Sequence, residues 1–143
     1  MSLTIRLSQT IDRPVGAVFH FFADEHVRNH PRWDPTMRMQ QLTQGPIGEG
    51  TLIRREVSRG SGPVIGQMEV VAYEKDRLFG TQIRDGEAEI RSQVSFLAAK
   101  PNQTVLTMDV DFADLDDSQA DMIRGMIQGS LDTIKSLIET EGD

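Results

Sequence analysis

The chain contains no cysteine. Disulfides, thiol nucleophiles and thiolate metal sites are therefore all excluded, a composition compatible with a reducing compartment. Basic residues are too few and too scattered to form a run, and the 143 residues carry a formal net charge of -7. A nucleic-acid binder would show a basic patch, and an anionic membrane surface would repel this balance. No apolar run approaches the roughly 20 residues that span a bilayer, and no charged segment leads into an apolar core at the N-terminus. The expectations are a cytoplasmic chain with no nucleic-acid partner and no stable membrane insertion. There is one tryptophan and one tyrosine, and all three histidines precede Pro31. There is no Gly-rich phosphate loop and no nucleophile elbow. Repeats, low-complexity stretches and linkers are also missing, so residues 1–143 are expected to form one domain.

What is present is pattern. The last stretch, Asp116 to Glu141, places Met122, Ile123, Met126, Ile127, Leu131, Ile134, Leu137 and Ile138 at steps of three and four. That is one stripe on one long helix. Asp116 suits its N-cap, with Gln119 as reciprocal partner. Gly125 and Gly129 weaken the helix and suggest close approach of a strand or ligand. At the other end, Leu3, Ile5, Leu7 and Ile11 alternate as in a half-buried strand. Pro14 suits a first helical position, and Val15, Val18, Phe19 and Phe22 follow at helical spacing to about Ala23. A second short helix is expected from Asp24 to His30, with Pro31 ending it. From Thr36 the period changes to two. Strands are expected at Thr36–Thr43, Thr51–Arg59, Val64–Glu74, Arg77–Arg84, from Ala88 to Phe96, and around Leu106–Phe112. Between them lie turns such as Gly60-Ser61-Gly62-Pro63 and Asp85-Gly86. Consecutive hairpins imply an antiparallel sheet whose inner face wraps the terminal helix. The class is α+β, with about seven strands, two short helices after the first strand, and a long C-terminal helix.

The order strand, Ile-Asp-Arg-Pro-Val-Gly-Ala-Val-Phe-His-Phe-Phe-Ala-Asp, then Arg-Trp-Asp-Pro, resembles the opening of the SRPBCC superfamily. The positions that carry the likeness are Ile11, Pro14, Val18, Phe19, Asp24, Trp33 and Pro35, followed by the connector Gly45 to Thr51. That superfamily includes START lipid-transfer domains, the birch-pollen-allergen fold and polyketide cyclase/dehydrase-like proteins. The resemblance implies a helix-grip fold, a curved sheet around the C-terminal helix with a hydrophobic cavity between them. It spans carriers, binding proteins and enzymes, so it does not fix the function.

Alternation and resemblance together give an expected cavity wall. It comprises Phe22, Trp33, Arg55, Val57, Met68, Val70, Ile90, Ser92, Phe96, Met108, Val110, Met122, Met126 and Ile127. The facing of Thr51–Arg59 has two readings: with Leu52, Arg54 and Glu56 inward, an ion pair enters the cavity; with Ile53 and Val57 inward, the favoured reading, Arg55 is the inward charge and a ligand-anchor candidate. Gln9, Thr81 and Ser92 are the other inward polar candidates. Trp33 reads equally as pocket wall or core. His20 is either an acid or base at the cavity mouth or a partly exposed helix residue, with no carboxylate partner identifiable. His26 and His30 stand i, i+4 like a helical zinc pair, but Val27 occupies the place of the glutamate a zinc protease motif needs. They read instead as exposed histidines on a surface helix. Arg84, Asp85, Glu87, Glu89 and Arg91 surround a hairpin tip, as a rim or as a wet face. With at most one titratable group facing in, an acid–base pair is not expected. The sequence thus favours binding or transport of a small hydrophobic or aromatic molecule, as monomer or homodimer, with no metal and no cofactor. The alternatives are a cyclase/dehydratase-like enzyme, in which His20 or Arg55 would assist, and an accessory protein with a vestigial cavity.

Overall fold

The structure is a computed structural model and describes residues 2–60 and 62–141. Strand β1 (Leu3–Ile11) leads into helix α1 (Val15–Phe19), a π-helical turn (His20–Asp24) and helix α2 (His26–Trp33). Six strands follow: β2 (Met37–Gln41), β3 (Leu52–Arg59), β4 (Gly62–Glu74), β5 (Leu78–Asp85), β6 (Ala88–Lys100) and β7 (Gln103–Phe112). A 3-10 turn (Asp117–Gln119) opens the final helix α3 (Ala120–Glu141). The expected hairpin turn at Gly60–Pro63 includes Ser61, which lies outside the described residues.

The seven strands form one antiparallel sheet in the order β1-β7-β6-β5-β4-β3-β2. Each hairpin pairs sequence neighbours, and β1 closes on β7 from Leu3↔Phe112 to Ile11↔Thr104. One face is buried. Ile53, Arg55 and Val57 of β3 point inward, as do Met68 and Val70 of β4, Phe79, Thr81 and Ile83 of β5, Val94 and Phe96 of β6, and Leu106, Met108 and Val110 of β7. A bulge between Val70 and Ala72 resets the alternation in β4. Val71 is thereby left exposed. Tyr73, which strict alternation puts on the wet face, turns in and meets Phe19 edge-on with centroids 5.3 Å apart.

The capping of α3 follows the sequence. Asp116 accepts from the Ser118 backbone, and the Asp116 N–H donates to Gln119 Oε1. The stripe is not buried evenly. Leu131, Ile134 and Ile138 are fully or almost fully buried, whereas no residue from 120 to 130 is. The C-terminal half of α3 packs on β1 and the aromatic core; the N-terminal half stands away from the sheet. Gly125 and Gly129 have nothing within 4 Å of a built Cβ, so they mark no close approach to a strand.

The short helices correct two expectations. Pro14 is the N-cap, in extended conformation, rather than the first helical residue. Pro31 does not end α2, which runs on to Trp33 and is closed by the Asp34 N–H on the His30 carbonyl at 3.0 Å. A proline removes one hydrogen bond. The helix continues nonetheless for two residues, and the Trp33 ring at its end is buried and stacked on Phe22.

Candidate functional site

The space left by the stand-off half of α3 is a cavity of about 190 Å³. The sheet supplies Arg55, Met68, Phe79, Thr81, Ile83, Ile90, Ser92, Met108, Val110 and Phe112; α3 supplies Ile123, Met126, Ile127 and Ser130. The third wall is Phe22, His26, His30, Trp33, Asp34 and Met37. Most of that wall comes from the π-helical turn and α2. Phe22 in that turn and His26, His30 and Trp33 of α2 stand at steps of four, four and three, one helical stripe facing the cavity. Trp33 stacks between two of them, 5.2 Å from Phe22 and 5.0 Å from His30.

Ten of the fourteen expected wall residues line the cavity: Phe22, Trp33, Arg55, Met68, Ile90, Ser92, Met108, Val110, Met126 and Ile127. Val57, Val70 and Phe96 face inward but lie in the packed core beyond it. Met122 is 61% exposed on the outside of α3. Gln9 is also elsewhere, donating to Asp132 at 2.9 Å.

The main correction concerns charge and protons. His26 and His30 are not surface histidines. His26 is 3% exposed, its Nδ1 lies 2.8 Å from the Phe22 carbonyl, and its Nε2 lies 3.0 Å from His30 Nδ1. Burial, helped by the nearby Arg55 charge and opposed by the Phe22 bond, pushes the His26 pKa down to about 4. His26 is therefore neutral at pH 7. Asp34 stands at the same wall, its Oδ1 accepting from the Thr36 N–H and hydroxyl at 3.2 and 2.6 Å. Four titratable groups thus border the cavity, where the sequence suggested at most one.

Arg55 points inward as expected and is buried. Its Nε lies 3.0 Å from Asp85 Oδ1, and both side chains are largely buried. The contact is an ion pair at close range rather than an aligned hydrogen bond, since neither atom meets hydrogen-bond geometry with any partner. Asp85, read from the sequence as a hairpin-tip charge on a rim or wet face, crosses inward to make it. Arg55, Gly66 and Asp85 are register partners on β3, β4 and β5. A Cβ at Gly66 would sit 2.1 Å from Asp85 Oδ1, so the bare glycine is what lets the carboxylate through. The neighbouring Arg84 instead pairs with Glu89 on the outer face.

His20 does not line the cavity. It is 63% exposed and lies 2.9 Å from Asp24 Oδ2, the carboxylate partner one helical turn on. Asp24 also accepts from the Tyr73 hydroxyl at 2.5 Å, which ties the π-helical turn to β4. Burial first, and the Asp24 bond second, raise the Tyr73 pKa to about 12. Among the described residues no group of three or more His, Asp or Glu could hold a metal ion, and no helix is long and apolar enough to cross a membrane.

Several solved structures share this architecture. Ara h 8.0201 superposes with a TM-score of 0.77 at 15% identity, covering 98% of this chain and 99% of that one. A START superfamily protein from Mycobacterium smegmatis gives 0.77 at 12% identity, covering 96% and 97%. Norcoclaurine synthase from Thalictrum flavum, in complex with dopamine and hydroxybenzaldehyde, gives 0.71 at 9% identity, covering 100% and 90%. At these identities the likeness carries the fold alone. No curated protein matches the sequence. The family model described as polyketide cyclase / dehydrase and lipid transport matches residues 2–139. Sequence, fold and cavity agree: the chain belongs to the polyketide cyclase / dehydrase and lipid transport family.

Proposed function

We propose that the chain binds one small molecule in the cavity under α3, apolar over most of its surface and polar at one end. The observation that carries this reading is the cavity itself. Thirteen of its twenty lining residues are aliphatic, aromatic or methionine, and its titratable groups come only from α2, the turn after it and β3. Such a wall orients a ligand by one polar end and accommodates the rest by shape. The four methionines in the wall suit adaptable packing. Volume sets the size class. A dry cavity of about 150 Å³ accepts benzene, so about 190 Å³ accommodates one ring with a substituent or two. A long polyketide chain would have to protrude past the exposed end of α3. The neighbour solved with dopamine and hydroxybenzaldehyde holds ligands of this single-ring size on the same fold.

A second reading, a cyclase- or dehydratase-like enzyme, is favoured by one observation: two histidines, Asp34 and Arg55 border the same space. Proton transfer within a dry site needs that kind of set. The test of the first reading uses Trp33, the sole tryptophan, as reporter. Titration with p-xylene is expected to shift its emission saturably at one site per chain, and naphthalene to bind more weakly. A flat response to every single-ring probe would overturn the proposal.

A further inference from the structure

Three hydroxyls stand in the cavity wall: Thr81 on β5, Ser92 on β6 and Ser130 on α3. The first two are register partners on adjacent strands. Their row crosses the sheet between two apolar rows, Ile83 with Ile90 on one side and Phe79 with Met108 on the other, and all four of those residues also line the cavity. Successive inward residues of one strand stand about 7 Å apart. The Thr81–Ser92 pair is thus an isolated polar spot in an apolar floor.

Thr81 is 4% exposed, and Ser92 is half-buried. Among the described residues, neither hydroxyl takes part in a hydrogen bond. A hydroxyl that is dry and unpaired is costly, and valine or alanine would serve the packing better. Their use is therefore sought in what enters the cavity. Geometry allows one answer. Directly opposed side chains of an antiparallel pair have Cβ atoms about 5 Å apart, and an O–H donor reaches its acceptor at about 2.8 Å. One ligand oxygen placed between the two side chains accepts from both.

Charge decides what kind of oxygen it is. Two hydroxyls between apolar rows cannot balance an ion. The buried cation of the wall, Arg55, already has Asp85 Oδ1 3.0 Å from its Nε, so an anionic ligand would compete with a carboxylate the fold supplies. An uncharged oxygen needs no counter-ion and only the two donors.

We propose that Thr81 and Ser92 are the polar anchor of the cavity, and that its ligand is an uncharged single-ring molecule with one oxygen acceptor seated between them. The proposal rests on the binding reading above and names the polar end of the ligand and its anchor.

The experiment compares acetophenone with α-methylstyrene, in which a CH2 group replaces the carbonyl oxygen at nearly the same shape, by calorimetry. Both should bind. The readout is the ratio of the two affinities, in which the different hydration of the two probes cancels between parent and variant. Thr81→Val and Ser92→Ala should each shift that ratio about fivefold toward the hydrocarbon. The carbonyl stretch of bound acetophenone should lie below its position in hexane and return toward it in Thr81→Val. Without ligand, Thr81→Val should melt at or above the parent, because it removes a hydroxyl that has no partner in the protein. A ratio unchanged in both variants, or a bound carbonyl stretch as in hexane, overturns the anchor and leaves the binding reading standing. A melting temperature of Thr81→Val well below the parent's shows that the hydroxyl serves the fold, and overturns it too. Benzoate, ionised at pH 7, should bind more weakly than acetophenone; benzoate binding as tightly overturns the uncharged assignment. Failure of both acetophenone and α-methylstyrene to bind removes the binding reading and this inference with it.

Discussion

Alanine at position 66 would put a methyl group where the Asp85 carboxylate now lies. The added carbon would stand 2.1 Å from Asp85 Oδ1, 2.4 Å from the Arg84 carbonyl oxygen and 2.9 Å from the Asp85 Cα. Two of these atoms are backbone and cannot swing aside. The carboxylate must leave and β5 must move from β4. The buried Arg55–Asp85 contact is then broken. Removing one partner of a buried pair costs about 3–5 kcal/mol. Alanine recovers some of that, since glycine inside a strand is disfavoured by about 0.5–1 kcal/mol. The net loss is about 3 kcal/mol, or about 10 °C in melting temperature for a chain of this size. Gly125 supplies the opposite sign. Its Cβ position is open space on the exposed face of α3, so Gly125→Ala should raise stability by about 1 kcal/mol and the melting point by a few degrees. The assay is thermal unfolding by circular dichroism on both variants and the parent. If Gly66→Ala melts within about 2 °C of the parent, the role given to Gly66, and with it the Asp85–Arg55 contact, is refuted.

Three further outcomes follow from the same geometry. His26 titrates near 4 in the fold and near 6.5 unfolded, so the unfolded chain binds the extra proton as pH falls. Stability is full above about 6.5, and about 2 kcal/mol of it should be lost between pH 7 and pH 5. Denaturant melts of the parent and His26→Gln check this, with most of the pH slope absent in the variant. Glu139 and Glu141, whose pKa values are lowered chiefly by Lys135 and Arg32, contribute stability above the carboxylate range and lose it only at lower pH. Within α3, Ile134→Asp should cost about 4 kcal/mol or more and leave no cooperative melt. Ile127→Asp, at the cavity wall, should leave a folded chain with reduced affinity for p-xylene. Val110→Phe should fill the cavity and abolish p-xylene binding with a melting temperature near the parent's, measured by calorimetry and thermal unfolding.

The fold was legible because its signals are periodic. Alternation marks the sheet's inner face, and steps of three and four mark α3, whatever the ligand. Arg55 was found the same way, by sharing a face with Ile53 and Val57. The histidines were missed for a physical reason. Phe22, His26, His30 and Trp33 form a stripe at helical spacing, but histidine carries no hydrophobic signal and reads as a surface residue. Asp85 was missed because its inward turn depends on an absence, the missing Cβ of Gly66, its register partner on the neighbouring strand. Val57, Val70 and Phe96 were placed on the correct face at the wrong depth. Alternation tells in from out, whereas the stand-off of one half of α3 decides where the inner face borders empty space. Met122 was placed a step too far round the helix, on the side turned to water.

The central claim is that a small molecule occupies the space between the N-terminal half of α3 and the sheet. Methionine methyl groups report on it directly. Met37, Met68, Met108 and Met126 line the cavity, whereas Met39 and Met122 lie outside it. The measurement is a methyl NMR titration of methyl-13C methionine protein with p-xylene. The expected result is saturable shifts at the four wall methyls, with a common midpoint, and little change at Met39 and Met122. Shifts confined to Met122 and Met39, or none that saturate, would contradict the account.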